Sequence, residues 1–171
     1  MNSKILTIAF IFIAITLNPS VAAAQTVAPV DAEFFGAWTF DYAQAQERPA
    51  NSNQSYVTRN VSQDEFWQKP QLLSIPTQIV FMGAFLAHIS HPSWSYPVAT
   101  VMNNGLLEFR HFQENDFSGI PDLSEIHSYP AMTPAHLLTK SGNLMRLQSN
   151  YTDTDAQGNP IEGILTVYYR K

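Results

Sequence analysis

The chain contains no cysteine. That absence excludes disulfides, thiol nucleophiles, thiolate metal ligands and a lipid-anchored cysteine behind a leader. Charge is also scarce: 13% of residues are Asp, Glu, Lys or Arg, about half the usual share. The water-facing surface must therefore be built largely from Ser, Thr, Asn and Gln. Basic residues are the scarcest, 9 against 14 acidic, and they are never clustered. Phosphate backbones are held by clustered Lys and Arg, so nucleic acid is not an expected partner. Neither Gly-x-Ser-x-Gly nor His-Glu-x-x-His occurs, and there is no glycine-rich phosphate loop. The chain is read as non-enzymatic.

Apolar runs are short as well. Ile5 to Leu17 carries no charge but is only 13 residues long, against the roughly 20 that span a bilayer. Lys4 precedes it and Ala22-Ala23-Ala24 follows it. This is the pattern of a cleavable signal peptide over residues 1–24, with cleavage expected after Ala24 and export to the periplasm or beyond. Removing 24 of 171 residues leaves 147 and takes the formal charge from −5 to −6 with the loss of Lys4. A chain of that size makes one domain, 25–171, with a core of its own. No later segment is long and apolar enough to span a membrane.

What is present is aromatic and β-patterned. Phe34, Gly36, Trp38 and Phe40 share one parity, so in a strand they face one side. The stretch from Phe34 to Ala43 reads as the first strand, after a loose lead-in from Gln25 to Ala32. Gln44 to Ser55 reads as a loop. Ser62 and Glu65 form a capping box for a short helix over Gln63 to Lys69, stopped by Pro70. Thr77–Met82 and Ala84–Ser90 flank Gly83, a bend or bulge position. Tyr96–Met102 and Leu106–Phe112 flank Asn103-Asn104-Gly105, a strong hairpin signal. Gln113 to Ser124 is a polar loop, and Glu125 to Tyr129 a weak strand. His136–Lys140 and Leu144–Tyr151 flank Ser141-Gly142-Asn143, and Glu162 to Lys171 closes the chain. The sum is an all-β single up-and-down antiparallel meander barrel of about 8–10 strands with one short helix.

Phe34-x-Gly36-x-Trp38 resembles the opening motif of the calycin group: lipocalins, fatty-acid-binding proteins and the lipocalin-like secreted proteins of Bacteroidetes. The closing Leu165-Thr166-Val167-Tyr168-Tyr169-Arg170-Lys171 is similar to the last strand of that group. The resemblance implies a barrel sealed at one end by Phe34, Gly36 and Trp38, with Arg170 as the basic residue packing near the Trp. It also implies a small hydrophobic or amphiphilic ligand at the other end. The candidate ligand-binding residues are Phe40, Tyr42, Phe109, His111, Tyr151, Tyr168 and Arg170. A packed barrel that binds other proteins through its loops, with Trp94 exposed, is the alternative.

No cofactor or metal is expected. His88 and His91 are three apart, hence on opposite faces of a strand. Asp153-Thr-Asp155-Ala-Gln157-Gly158 copies the start of a calcium loop, but position 12 is Ile164, where a bidentate Glu is required. It reads as an ordinary hairpin turn.

Overall fold

A computed structural model describes residues 27–62, 65, 76–111, 126, 128–132 and 135–171. The signal peptide expected over residues 1–24, the helix expected over Gln63 to Lys69 (Glu65 excepted) and the loop expected over Gln113 to Ser124 lie outside the described residues. The ten strands are β1 (Val27–Ala28), β2 (Gly36–Pro49), β3 (Val57–Val61), β4 (Gln78–Gly83) and β5 (Leu86–His91), then β6 (Trp94–Asn103), β7 (Leu106–Arg110), β8 (His136–Ser141), β9 (Leu144–Thr154) and β10 (Pro160–Arg170). All pairings are antiparallel. Eight strands, β2 and β4 through β10, close into a barrel through the β10–β2 and β6–β7 ladders. The all-β meander barrel read from the sequence is the fold observed.

The hairpin chemistry works as expected. Asn104 and Gly105 sit at φ +51° and +80° and Gly142 at +59°, the left-handed values that tight turns require. The β4–β5 register slips at Gly83, where a bulge was expected. Asp155 closes the β9–β10 turn by accepting from the Gln157 and Asn159 backbone N–H groups at 2.9 and 2.8 Å, so the calcium-like stretch is an Asx-type turn. Ser62 Oγ accepts from Glu65 N at 3.1 Å, the capping contact expected there.

Three readings need correction, and one strand went unassigned in the sequence. Gln44 to Pro49 is not a loop but the continuation of β2, with Ala43 and Ala45 buried and Gln44 and Gln46 turned outward. Alanine is too weakly apolar for that alternation to stand out in sequence. Val57–Val61 is a strand that pairs with this extension. The lead-in is not loose: Val27–Ala28 pairs with β6, and Val30 is buried with its N–H bonded to Ala84 O at 2.8 Å. Ile126 and Ser128 lie in turns and Tyr129 in a bend, not in the strand expected over Glu125 to Tyr129. The Ile126 and Tyr129 side chains bury against Ala99 and Val101 on the outer surface of β6. Arg110 holds that strap through the carbonyls of Ile126 and Tyr129 at 3.2 and 3.4 Å.

One irregularity sets which residues face the interior. Trp38 and Phe40 point inward, then the β2–β10 register shifts opposite Tyr168 and Tyr169. A bulge of this kind inverts parity. Beyond it Ala43, Ala45 and Glu47 face inward, and Tyr42 faces out. On β10 the inward set is Gly163, Leu165, Val167 and Tyr169.

Candidate functional site

The narrow end is built on Trp38, which is fully buried and donates its indole N–H to Phe34 O at 2.6 Å. Gly36 adopts φ +108°, and a Cβ there would stand 3.2 Å from Lys171 Cε. Lys171, not Arg170, is the basic residue beside the indole: its ammonium lies 5.2 Å from the ring centroid and donates to Phe35 O at 2.8 Å. The reason is parity. Lys171 follows Tyr169 on the inward-facing set, whereas Arg170 points outward to Asp41 at 2.7 Å. A 710 Å³ groove lies at this end, over Phe34, Met102 and Leu138. Its Glu33 and Lys140 pair with each other at 3.3 Å.

The opposite end carries two walls. Four rings, on β5, on β6 and just past the end of β7, form a ladder. His91 stacks on Trp94 at 5.1 Å, Trp94 meets Tyr96 at 5.1 Å, and Tyr96 stacks on His111 at 5.8 Å. The tight His91–Trp94 turn brings the first two together. Trp94 is thus half-buried and on the inward-facing set of β6, rather than exposed. Deeper in, Phe109 is buried and Phe40 packs edge-on to Tyr169 at 6.4 Å. The Tyr169 hydroxyl donates to Pro76 O at 2.8 Å.

The second wall is ionic. Around an eight-strand ring the strand facing β6 is β10. At that position the cross-strand row runs Tyr151 (β9), Gly163 (β10), Glu47 (β2). Tyr151 lies flat over Gly163, and its hydroxyl donates to a Glu47 carboxylate oxygen. Glu47 takes a fork from Arg59, Nε to Oε2 at 2.7 Å and Nη2 to Oε1 at 2.8 Å. Arg59 reaches Glu65 with Nη1 at 2.8 Å. Hydrogen bonding to Glu47 holds the guanidinium protonated well above its ordinary range. Burial, with the Glu47 bond second, pushes the Tyr151 phenol well above the ordinary tyrosine value. A 420 Å³ depression opens onto this wall between Glu47, Arg59, Ile161 and Ala156.

The glycine in that row is required by packing. A Cβ at position 163 would fall 2.5 Å from Tyr151 Cε1 and Cζ. Gly163→Ala is expected to lift the ring, break the Tyr151–Glu47 bond and cost about 1–3 kcal/mol. Urea unfolding measures it. Adding Tyr151→Ala removes the collision, so the two losses must fall short of their sum.

Of the candidate ligand residues, Phe40, Phe109, His111 and Tyr151 face the interior. His111 stands exposed at the rim, and Phe109 is sealed in the core. Tyr42, Tyr168 and Arg170 lie on the outer surface, where Tyr42 and Tyr168 stack at 4.2 Å. Sequence reasoning missed Glu47, Arg59, His91, Trp94 and Tyr96 as a group. The alternation Glu47, Ala45, Ala43 was the available signal for the first of these. Nothing in sequence pairs Arg59 with Glu47 until β3 is recognised. No protein-family model, curated protein or solved structure matches the chain.

Proposed function

We propose that the protein is an exported, non-enzymatic carrier of the calycin type that holds one small amphiphilic molecule at the wide end of its barrel. The observation that carries this reading is the presence at one end of two unlike groups on opposite sides of the strand ring: stacked rings at β5–β7 and an ionic network on β2, β3 and β9. A ligand's apolar body packs against Trp94, Tyr96 and Phe40. Its polar end meets Tyr151, Glu47 and Arg59. Aromatic surface with a few convergent polar groups is the usual composition of a small-molecule site.

Two groups of the ionic wall, Tyr151 and Arg59, are better suited to binding than to proton transfer. Acid–base catalysis works best with a group poised near the working pH. Tyr151 is held as the phenol and Arg59 as the cation, both far from neutrality.

A dansyl-labelled fatty acid and a dansyl-labelled alkylamine test the reading together, because either head-group sign can meet this network. Saturable binding of at least one at one equivalent is expected, weakened about tenfold by Tyr96→Ala. Absence of saturable binding by both probes rejects the proposal.

A further inference from the structure

We infer that the molecule held at the wide end has a cationic head, an alkylammonium rather than a carboxylate. The inference rests on the carrier reading and decides between the two head-group signs.

The deciding feature is how Arg59 is spent. A guanidinium offers edges on which a carboxylate docks with two parallel bonds. Glu47 occupies one edge, through Nε and Nη2 at 2.7 and 2.8 Å. Glu65 occupies another: Nη1 donates to its Oε2 at 2.8 Å, and Nη2 lies 2.8 Å from its Oε1. An anionic head can reach Arg59 only by displacing one of the chain's own carboxylates. That carboxylate would then stand half-buried without its cation, which is costly. The neighbouring donors are committed as well. The Tyr151 hydroxyl is given to Glu47. Arg48, the second cation lining the 420 Å³ depression, pairs with Glu162 at 2.5 Å and lies 4.5 Å from the Tyr56 ring centroid.

Charge balance points the same way. Among the described residues, the depression and its ion pairs hold the four carboxylates of Glu47, Glu65, Asp155 and Glu162 against the two guanidinium groups. The Glu47–Arg59–Glu65 network alone sets two anions on one cation. Asp155 keeps its charge, because hydrogen bonds from Asn159 hold its carboxyl below the usual range. The Glu47 and Arg59 side chains are 18% and 34% exposed, so solvent screens them less than an open surface would. Across the strand ring, Trp94 and Tyr96 are half-buried. Aromatic ring faces attract cations and repel anions. Both sides of the wide end therefore discriminate in one direction.

Displacement of N-phenylnaphthylamine, an uncharged fluorescent probe, by dodecylammonium, dodecyltrimethylammonium, dodecanol and dodecanoate tests the assignment. All four share one chain length and are used below their micelle concentrations near neutral pH. Both ammonium compounds are expected to displace the probe at concentrations about tenfold lower than dodecanoate, with dodecanol between. Added salt should narrow the gap. Glu47→Gln removes one carboxylate of the network, and Glu65→Gln removes the other while keeping the Glu47 fork. Each is expected to cut the preference about threefold. Glu65→Gln remains readable should Glu47→Gln fail to fold. Dodecanoate displacing the probe as well as the ammonium compounds overturns the inference and leaves the carrier reading standing. A preference that the folded variants leave unchanged does the same. A probe that never binds, with no heat of binding from any of the four compounds, rejects the carrier reading and the inference with it.

Discussion

Trp38→Ala should be the most destabilising single substitution in the barrel, costing about 3–5 kcal/mol. The indole has no exposed surface, fills the narrow end against Phe34 and Phe81, and spends its N–H on Phe34 O. Removing it deletes the largest fully buried side chain among the described residues and leaves the base unplugged. Domains of this size hold about 5–15 kcal/mol in all, so a fall in melting temperature of about 10 °C or more is expected. Trp38→Phe keeps much of the volume but loses the N–H bond, and should cost less. A loss below about 1 kcal/mol for the alanine variant would mean that the base of the barrel is not sealed by this ring.

Acid should weaken the fold through His136 before the carboxylates protonate. His136 is 3% exposed and its ring meets that of Phe109 at 6.2 Å. Burial pushes its pKa down from 6.5 to about 4. The folded protein therefore refuses a proton that the unfolded chain accepts between those values. More protons bound in the unfolded state means that stability falls as pH falls. The loss starts near pH 6.5, is about 2 kcal/mol by pH 5 and saturates at roughly 3 kcal/mol below pH 4. Urea midpoints at pH 7.5, 6 and 5 read it directly. His136→Gln removes the titration and should flatten that part of the profile, whatever its cost at neutral pH. Parallel profiles for the two proteins would contradict the assignment. His91, whose pKa burial also lowers, adds a smaller slope of the same sign.

The barrel was legible in sequence because its hairpins are local. Asn104-Gly105, Gly142 and Gly83 each declare themselves within a few residues, and Trp38 with Gly36 declares the narrow end. The wide end was not legible because its geometry is set by two non-local events. The bulge opposite Tyr168 and Tyr169 inverts β2, so Tyr42, which shares parity with Trp38, ends on the outside. Extrapolating one parity through position 42 therefore placed Tyr42 wrongly and overlooked Glu47. Adjacent tyrosines at 168 and 169 gave β10 an apolar side chain on each face. Alternation alone could not tell which face pointed inward, and Arg170 was set beside the indole in place of Lys171. The ionic wall needed β3, whose partner strand read as a loop because its inward residues are alanines. Those alanines have a physical purpose: small side chains on β2 and Gly163 on β10 leave the width that Tyr151 and Arg59 occupy.

The central claim is that the wide end holds a small amphiphile. Native mass spectrometry of the chain of residues 1–171, recovered from the cells that express it and from their medium, tests it most directly. The expected spectrum shows the protein with one adduct of a few hundred daltons. Organic extraction should remove it, and Tyr96→Ala should reduce its occupancy. A bare protein that stays bare after incubation with fatty acids, alkylamines and extracted host lipids would contradict the claim.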